Sequence, residues 1–128
     1  MLAATLPYVD AWNTWYADYG NTADGFAKLN DTITAAARDA GRDPGQLDRS
    51  ACVLVALAGA AFGRASTPEG PPPVRGSASE IASALRELGE AGADEVIVVA
   101  DPITERSIRE LGEALTEVPR PAPPQQGR

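Results

Sequence analysis

The chain has 128 residues, with 18 acidic and 11 basic side chains, a net charge of −7, no histidine and one cysteine. That length allows a single domain, and the scattered basic residues argue against a nucleic-acid or anionic-membrane partner, because phosphate recognition needs clustered Lys and Arg. The absence of His removes imidazole acid–base catalysis and His metal ligands, and Cys52 alone rules out an intramolecular disulfide and points to a reducing, cytoplasmic setting.

The chain opens on residues that look like a helix end running into Pro7, followed by a short extended stretch from about Val9 to Thr14. From Thr22 to Ala40 the residues Phe26, Leu29, Ile33, Ala36, Ala37 and Ala40 recur at helical spacing and predict an amphipathic helix. Gly41 is placed as its C′ residue, and Asp43 before Pro44 suits an N-cap and N1 pair opening a short turn. "SACVLVALA", from Ser50 to Ala58, has no polar alternation and reads as a parallel strand buried on both faces. Gly59 to Gly76 is a Gly- and Pro-rich connection, long enough to be functional or disordered.

Ser77 with Glu80 forms a capping box for the helix "SASEIASALRELGEAG", whose stripe is Ile81, Leu85 and Leu88 and which ends at Gly92. "DEVIVVA" predicts another strand buried on both faces. Thr104 is the expected N-cap of a last helix, with Ile103 and Ile108 as a hydrophobic staple and Ile108, Leu111 and Leu115 as its stripe. Residues 1–116 are the folded unit and the Pro-rich 117–128 a disordered tail. The alternation of strands and helices predicts an α/β fold with parallel strands and right-handed crossovers. Three strands apolar on both faces need a cover, from further strands or from another chain.

Glu87, Glu90, Glu110 and Glu113 fall on polar helix faces and read as solvated. Cys52, inside an apolar strand, reads as packing rather than as a nucleophile. No P-loop or GxGxxG is present. The stronger positions are strand ends, because parallel α/β folds bind ligands at the C-terminal ends of strands. Asp101 lies at one such end, as a ligand contact or as a turn residue before Pro102. Trp12, Asn13, Thr14 and Trp15 lie at another. Strand alternation sends Asn13 and Trp15 to one face and Trp12 and Thr14 to the other, so one tryptophan packs under helices and the other is free to line a pocket. A ring and an Asn amide suit a planar ligand, against the simpler reading that both tryptophans pack the core.

Three segments, "YVDAWN", "AGRDP" ahead of a strand, and "GSASEIASALRELGEAGADEV", occur in order and together resemble the C-terminal part of the bacterial luciferase-like family. These are flavin- or deazaflavin (F420)-dependent oxidoreductases and monooxygenases built on a TIM barrel. The resemblance implies that Val9–Asn13, Ala51–Leu57 and Glu95–Val99 are the last three of eight barrel strands. The fold class is then a partial (β/α)8 barrel of three βα units, with FMN or F420 as cofactor and a small molecule as substrate. Trp12, Asn13, Trp15 and Asp101 would be the cofactor or substrate contacts. The family's Gly-rich phosphate-binding segment has no counterpart here, so the chain alone is expected to be weakly active or inactive. Two alternatives are a non-catalytic α/β module that completes another partial barrel, and one that self-associates through the barrel-interior face.

Overall fold

The computed structural model describes residues 5–59 and 67–118. Strand β1 (Ala11–Thr14) leads through a 3-10 turn (Tyr16–Asp18) to helix α1 (Ala23–Asp39). A second 3-10 turn (Pro44–Gln46) precedes strand β2 (Asp48–Ala56), then helix α2 (Ala78–Glu90), strand β3 (Glu95–Asp101) and helix α3 (Glu105–Thr116). The strands form one open, fully parallel sheet in the order β1-β2-β3. This is the expected alternation of parallel strands and helices.

The helix ends follow the local sequence. The side chains of Thr22, Ser77 and Thr104 each accept a backbone N–H from the first turn of their helices. Gly41 and Gly92, with φ of 77° and 112°, close α1 and α2. The flanking bonds Arg42 N–H to Ala37 O and Ala93 N–H to Leu88 O, 2.8 and 3.0 Å, complete a Schellman motif at each. Asp43 caps the turn that starts at Pro44.

The three helices form one layer, α1 against α2 and α2 against α3, on a single face of the sheet. Phe26, Ala51, Val53, Val55, Ile81, Leu85 and Leu88 make the core between them. Leu6, Ile33 and Leu47 form a second cluster near the start of the sheet. The paired registers Asn13↔Ser50, Cys52↔Ile97 and Leu54↔Val99 place these residues on the other face, which is helix-free among the described residues.

Several expectations change. β1 starts at Ala11, after a turn at Leu6–Tyr8, so Val9 is outside the strand. β2 is buried as expected, but β3 is not buried on both faces: Glu95 is exposed and Ile97 is 43 % exposed. β3 is an edge strand, and nothing among the described residues packs on its helix-free side at that level. In α3 the residues fully buried against the core are the small Ser107 and Ala114, whereas Ile108 and Leu115 of the expected stripe stay exposed. Ile103 is 82 % exposed, so the expected staple does not bury it. Leu115 borders an open groove shared with α2 and β3 instead of a packed contact. The initial helix end, much of the 59–76 connection and the tail from 119 on lie outside the described residues.

Candidate functional site at the helix-free face

β1 is only four residues long and its last residue, Thr14, is level with Ala51. Trp12 turns to the helix side, where its ring packs on Phe26 with centroids 6.2 Å apart. Thr14 is buried on the same side. Asn13 lies on the opposite face, and because Trp15 keeps extended backbone (φ −86°, ψ 144°) the alternation carries it there too. Trp15 is 46 % exposed and leans on Tyr16, centroids 4.4 Å apart. Of the two tryptophans, Trp15 is therefore the one beside Asn13, and Trp12 is a core residue.

Asn13 is exposed, yet its amide is oriented by its neighbours on β2. Its Oδ1 accepts from Ser50 Oγ at 2.6 Å and from Cys52 Sγ at 3.6 Å. Cys52 itself is 5 % exposed and so packs, as expected. Its backbone carbonyl accepts the Tyr19 hydroxyl at 2.6 Å. Burial, with a smaller contribution from Cys52, pushes the Tyr19 phenol above its ordinary value of 10.0.

Asp101 is 3 % exposed at the end of β3, and its carbonyl accepts Leu57 N–H at 2.9 Å. The peptide bond to Pro102 is cis. The register does not bring Asp101 to the aromatic edge: Asn13 is level with Ser50 and Asp101 with Ala56, six residues further along β2. At strand rise that is about 20 Å. Asn13, Trp15, Ser50 and Cys52 thus form one group, and Asp101 stands apart from it.

The ends of β2 and β3 run past the end of β1, and the exposed ladder of β2 is completed by groups that sequence reading missed. Asn21 Oδ1 accepts Leu54 N–H at 2.9 Å, and its Nδ2 donates to Leu54 O at 3.0 Å and to Pro72 O at 2.9 Å. Val74 continues the edge, donating to Leu54 O and accepting from Ala56 N–H, both at 2.9 Å. The side chain of Asn21 acts here as a substitute strand residue. The one local signal for it is the Gly20-Asn21 pair, both at positive φ, 71° and 59°, a conformation that Asn tolerates better than other side chains.

Glu110, expected to be solvated, instead accepts Ala58 N–H at 2.8 Å and ties α3 to the exit of β2. At the other end of the sheet Arg49, 8 % exposed, donates to Asn30 Oδ1, Thr34 Oγ1 and Pro44 O at 2.7, 2.6 and 3.2 Å. Its role is to lock α1 onto β2. On the helix side a groove of about 610 Å³ runs along β3, lined by Leu85, Val96, Val98 and Leu115 among others, and contains none of the four site candidates. Among the described residues no group of three or more Cys, Asp and Glu is placed to hold a metal, and no helix is long and apolar enough to cross a membrane. No protein-family model and no curated protein matches the sequence.

Proposed function

We propose that this chain is the C-terminal βα portion of a luciferase-like (β/α)8 oxidoreductase. In this reading it contributes one wall of a flavin or F420 site and is weakly active or inactive by itself. The observation that carries the reading is the winding of the sheet: parallel strands in sequence order, with all three helices in one layer. A doubly wound sheet reverses its strand order and takes helices on both faces. Constant winding keeps the helices on one side, and closure into a barrel then covers the other. The helix-free face with Asn13 and Trp15 is in this reading the barrel interior.

The residues present suit the planar ring of such a cofactor, through the Trp15 side chain and the Asn13 amide. Among the described residues there is no glycine-rich, basic helix start like those that grip a phosphate, so no reaction step is assigned to them. When bound, the cofactor supplies the redox chemistry and the protein holds and orients it. The small-molecule substrate belongs to the complete site.

The test is fluorescence titration of the purified chain with FMN and with F420. Weak, saturable quenching that Trp15→Phe diminishes is the expected result. No binding of either cofactor refutes the flavin reading, and tight stoichiometric binding refutes the one-wall reading.

A second reading, a non-catalytic module that self-associates or completes another partial barrel, draws on the exposed Ile97, Ile108 and Leu115 around the open β3 edge. Apolar surface of this kind favours association. Sedimentation equilibrium decides it: a monodisperse monomer across concentration counts against self-association.

A further inference from the structure

We infer that Asn13 is a donor-only recognition group, selecting a carbonyl oxygen at the rim of a planar ligand. An Asn amide ordinarily offers both an acceptor and two donors. Here the acceptor is already taken: two donors from β2, Ser50 Oγ and Cys52 Sγ, converge on Oδ1 at 2.6 and 3.6 Å. Fixing Oδ1 against the sheet turns Nδ2 away from it, and Nδ2 has no protein partner among the described residues.

The setting defines the ligand further. Two residues on from Asn13, just past the end of β1, stands the half-exposed ring of Trp15. Across the sheet, on the same face, stands Ile97, 43 % exposed. A flat apolar body laid on these two side chains brings its rim to the amide. A rim atom that accepts completes the two N–H groups, whereas a rim N–H finds no acceptor left on Asn13. A site built on a polar group discriminates strongly against a ligand that leaves the group unpaired. The ligand class is thus a planar ring with a carbonyl oxygen at its rim. The ring carbonyls of a flavin belong to that class, and to this extent the inference rests on the proposed function.

The test is a titration of the isotope-labelled full chain, read at the Asn13 side-chain amide by NMR. The probes are lumiflavin, which has ring carbonyls and no phosphate, and carbazole, a planar tricycle whose rim carries an N–H and no acceptor atom. Lumiflavin is expected to shift the Asn13 Nδ2 signals and carbazole to leave them in place. Asn13→Asp keeps the acceptor for Ser50 and deletes the donors, and is expected to weaken lumiflavin about tenfold, the worth of one hydrogen bond. Ser50→Ala, which loosens the amide, is expected to narrow the preference for lumiflavin over carbazole. Circular dichroism of each variant confirms that it folds. Unmoved Asn13 signals, or equal affinity in Asn13→Asp, overturns the inference. FMN binding with unmoved Asn13 signals overturns it while leaving the flavin reading standing, and failure of FMN and F420 to bind at all falls on that reading separately.

Discussion

Asn21 offers the sharpest test of how the sheet is held where β1 stops. Asn21→Gly keeps a residue able to adopt φ of 59° and removes only the amide. Three hydrogen bonds disappear, two to Leu54 and one to Pro72. Leu54 O keeps Val74 N–H as a partner, and Pro72 is exposed, so its carbonyl is open to water. Leu54 N–H is left buried and unpaired, which costs about 1–3 kcal/mol. With the remaining bonds and the added backbone freedom of glycine, the total is about 2–4 kcal/mol. For a domain of this size that lowers Tm by on the order of 10–20 °C. Urea unfolding followed by circular dichroism measures the loss, and hydrogen exchange at Leu54 reports where it occurs. Asn21→Asp separates the roles of the two amide atoms: it keeps the acceptor for Leu54 N–H but sets a carboxylate oxygen against two carbonyls, so it should be the less stable variant at neutral pH and recover partly in acid. An Asn21→Gly chain within 0.5 kcal/mol of the parent, with Leu54 exchange unchanged, would refute the substitute-strand reasoning.

Other outcomes follow from the same contacts. Because the Tyr19 phenol is held protonated above its ordinary 10.0, the unfolded chain releases its proton first as pH rises. Stability should therefore be level below that value and fall above it, at up to about 1.4 kcal/mol per pH unit. Tyr19→Phe should flatten this alkaline limb in pH-dependent melts while costing about 1 kcal/mol at neutral pH through the lost bond to Cys52 O. Gly25→Ala drives a Cβ into the backbone carbonyl of Tyr19 and should destabilise by about 3 kcal/mol or more, despite the better helix propensity of Ala; a gain in Tm would show that the α1 entry relaxes freely. Arg49→Met leaves acceptors on Asn30, Thr34 and Pro44 unpaired and should cost about 2 kcal/mol in urea unfolding, with faster exchange at the start of β2.

Much of the fold was legible because its signals are local. Ser77 and Thr104 cap helices as their positions predicted, and Gly41 and Gly92 end them, since a cap depends on residues within one turn of itself. The unbroken apolar run of β2 likewise announced a central strand. The same kind of run misled at β3, because an apolar sequence says that burial is wanted but not that a neighbour is present. The stripe of α3 misled for the same reason: period alone does not choose between the Ile108–Leu115 flank and the Ser107–Ala114 face, and the closeness of α2 and β3 favoured the small residues.

At the candidate site the division is equally physical. Alternation along β1 determined that Trp12 and Asn13 face opposite ways, since the two-residue period of a strand needs no tertiary partner. Which of the two faces takes the helices was decided by the packing of Trp12 on Phe26. The orientation of the Asn13 amide depends on Ser50 and Cys52, 37 and 39 residues away, and the role of Asn21 on a β2 backbone 33 residues away. By itself the sequence determined the elements, their ends and the side on which each strand residue lies, because those follow from neighbours in the chain. Which strand ends coincide and which polar atoms are already satisfied came from the tertiary structure, because those depend on register between segments far apart in the chain.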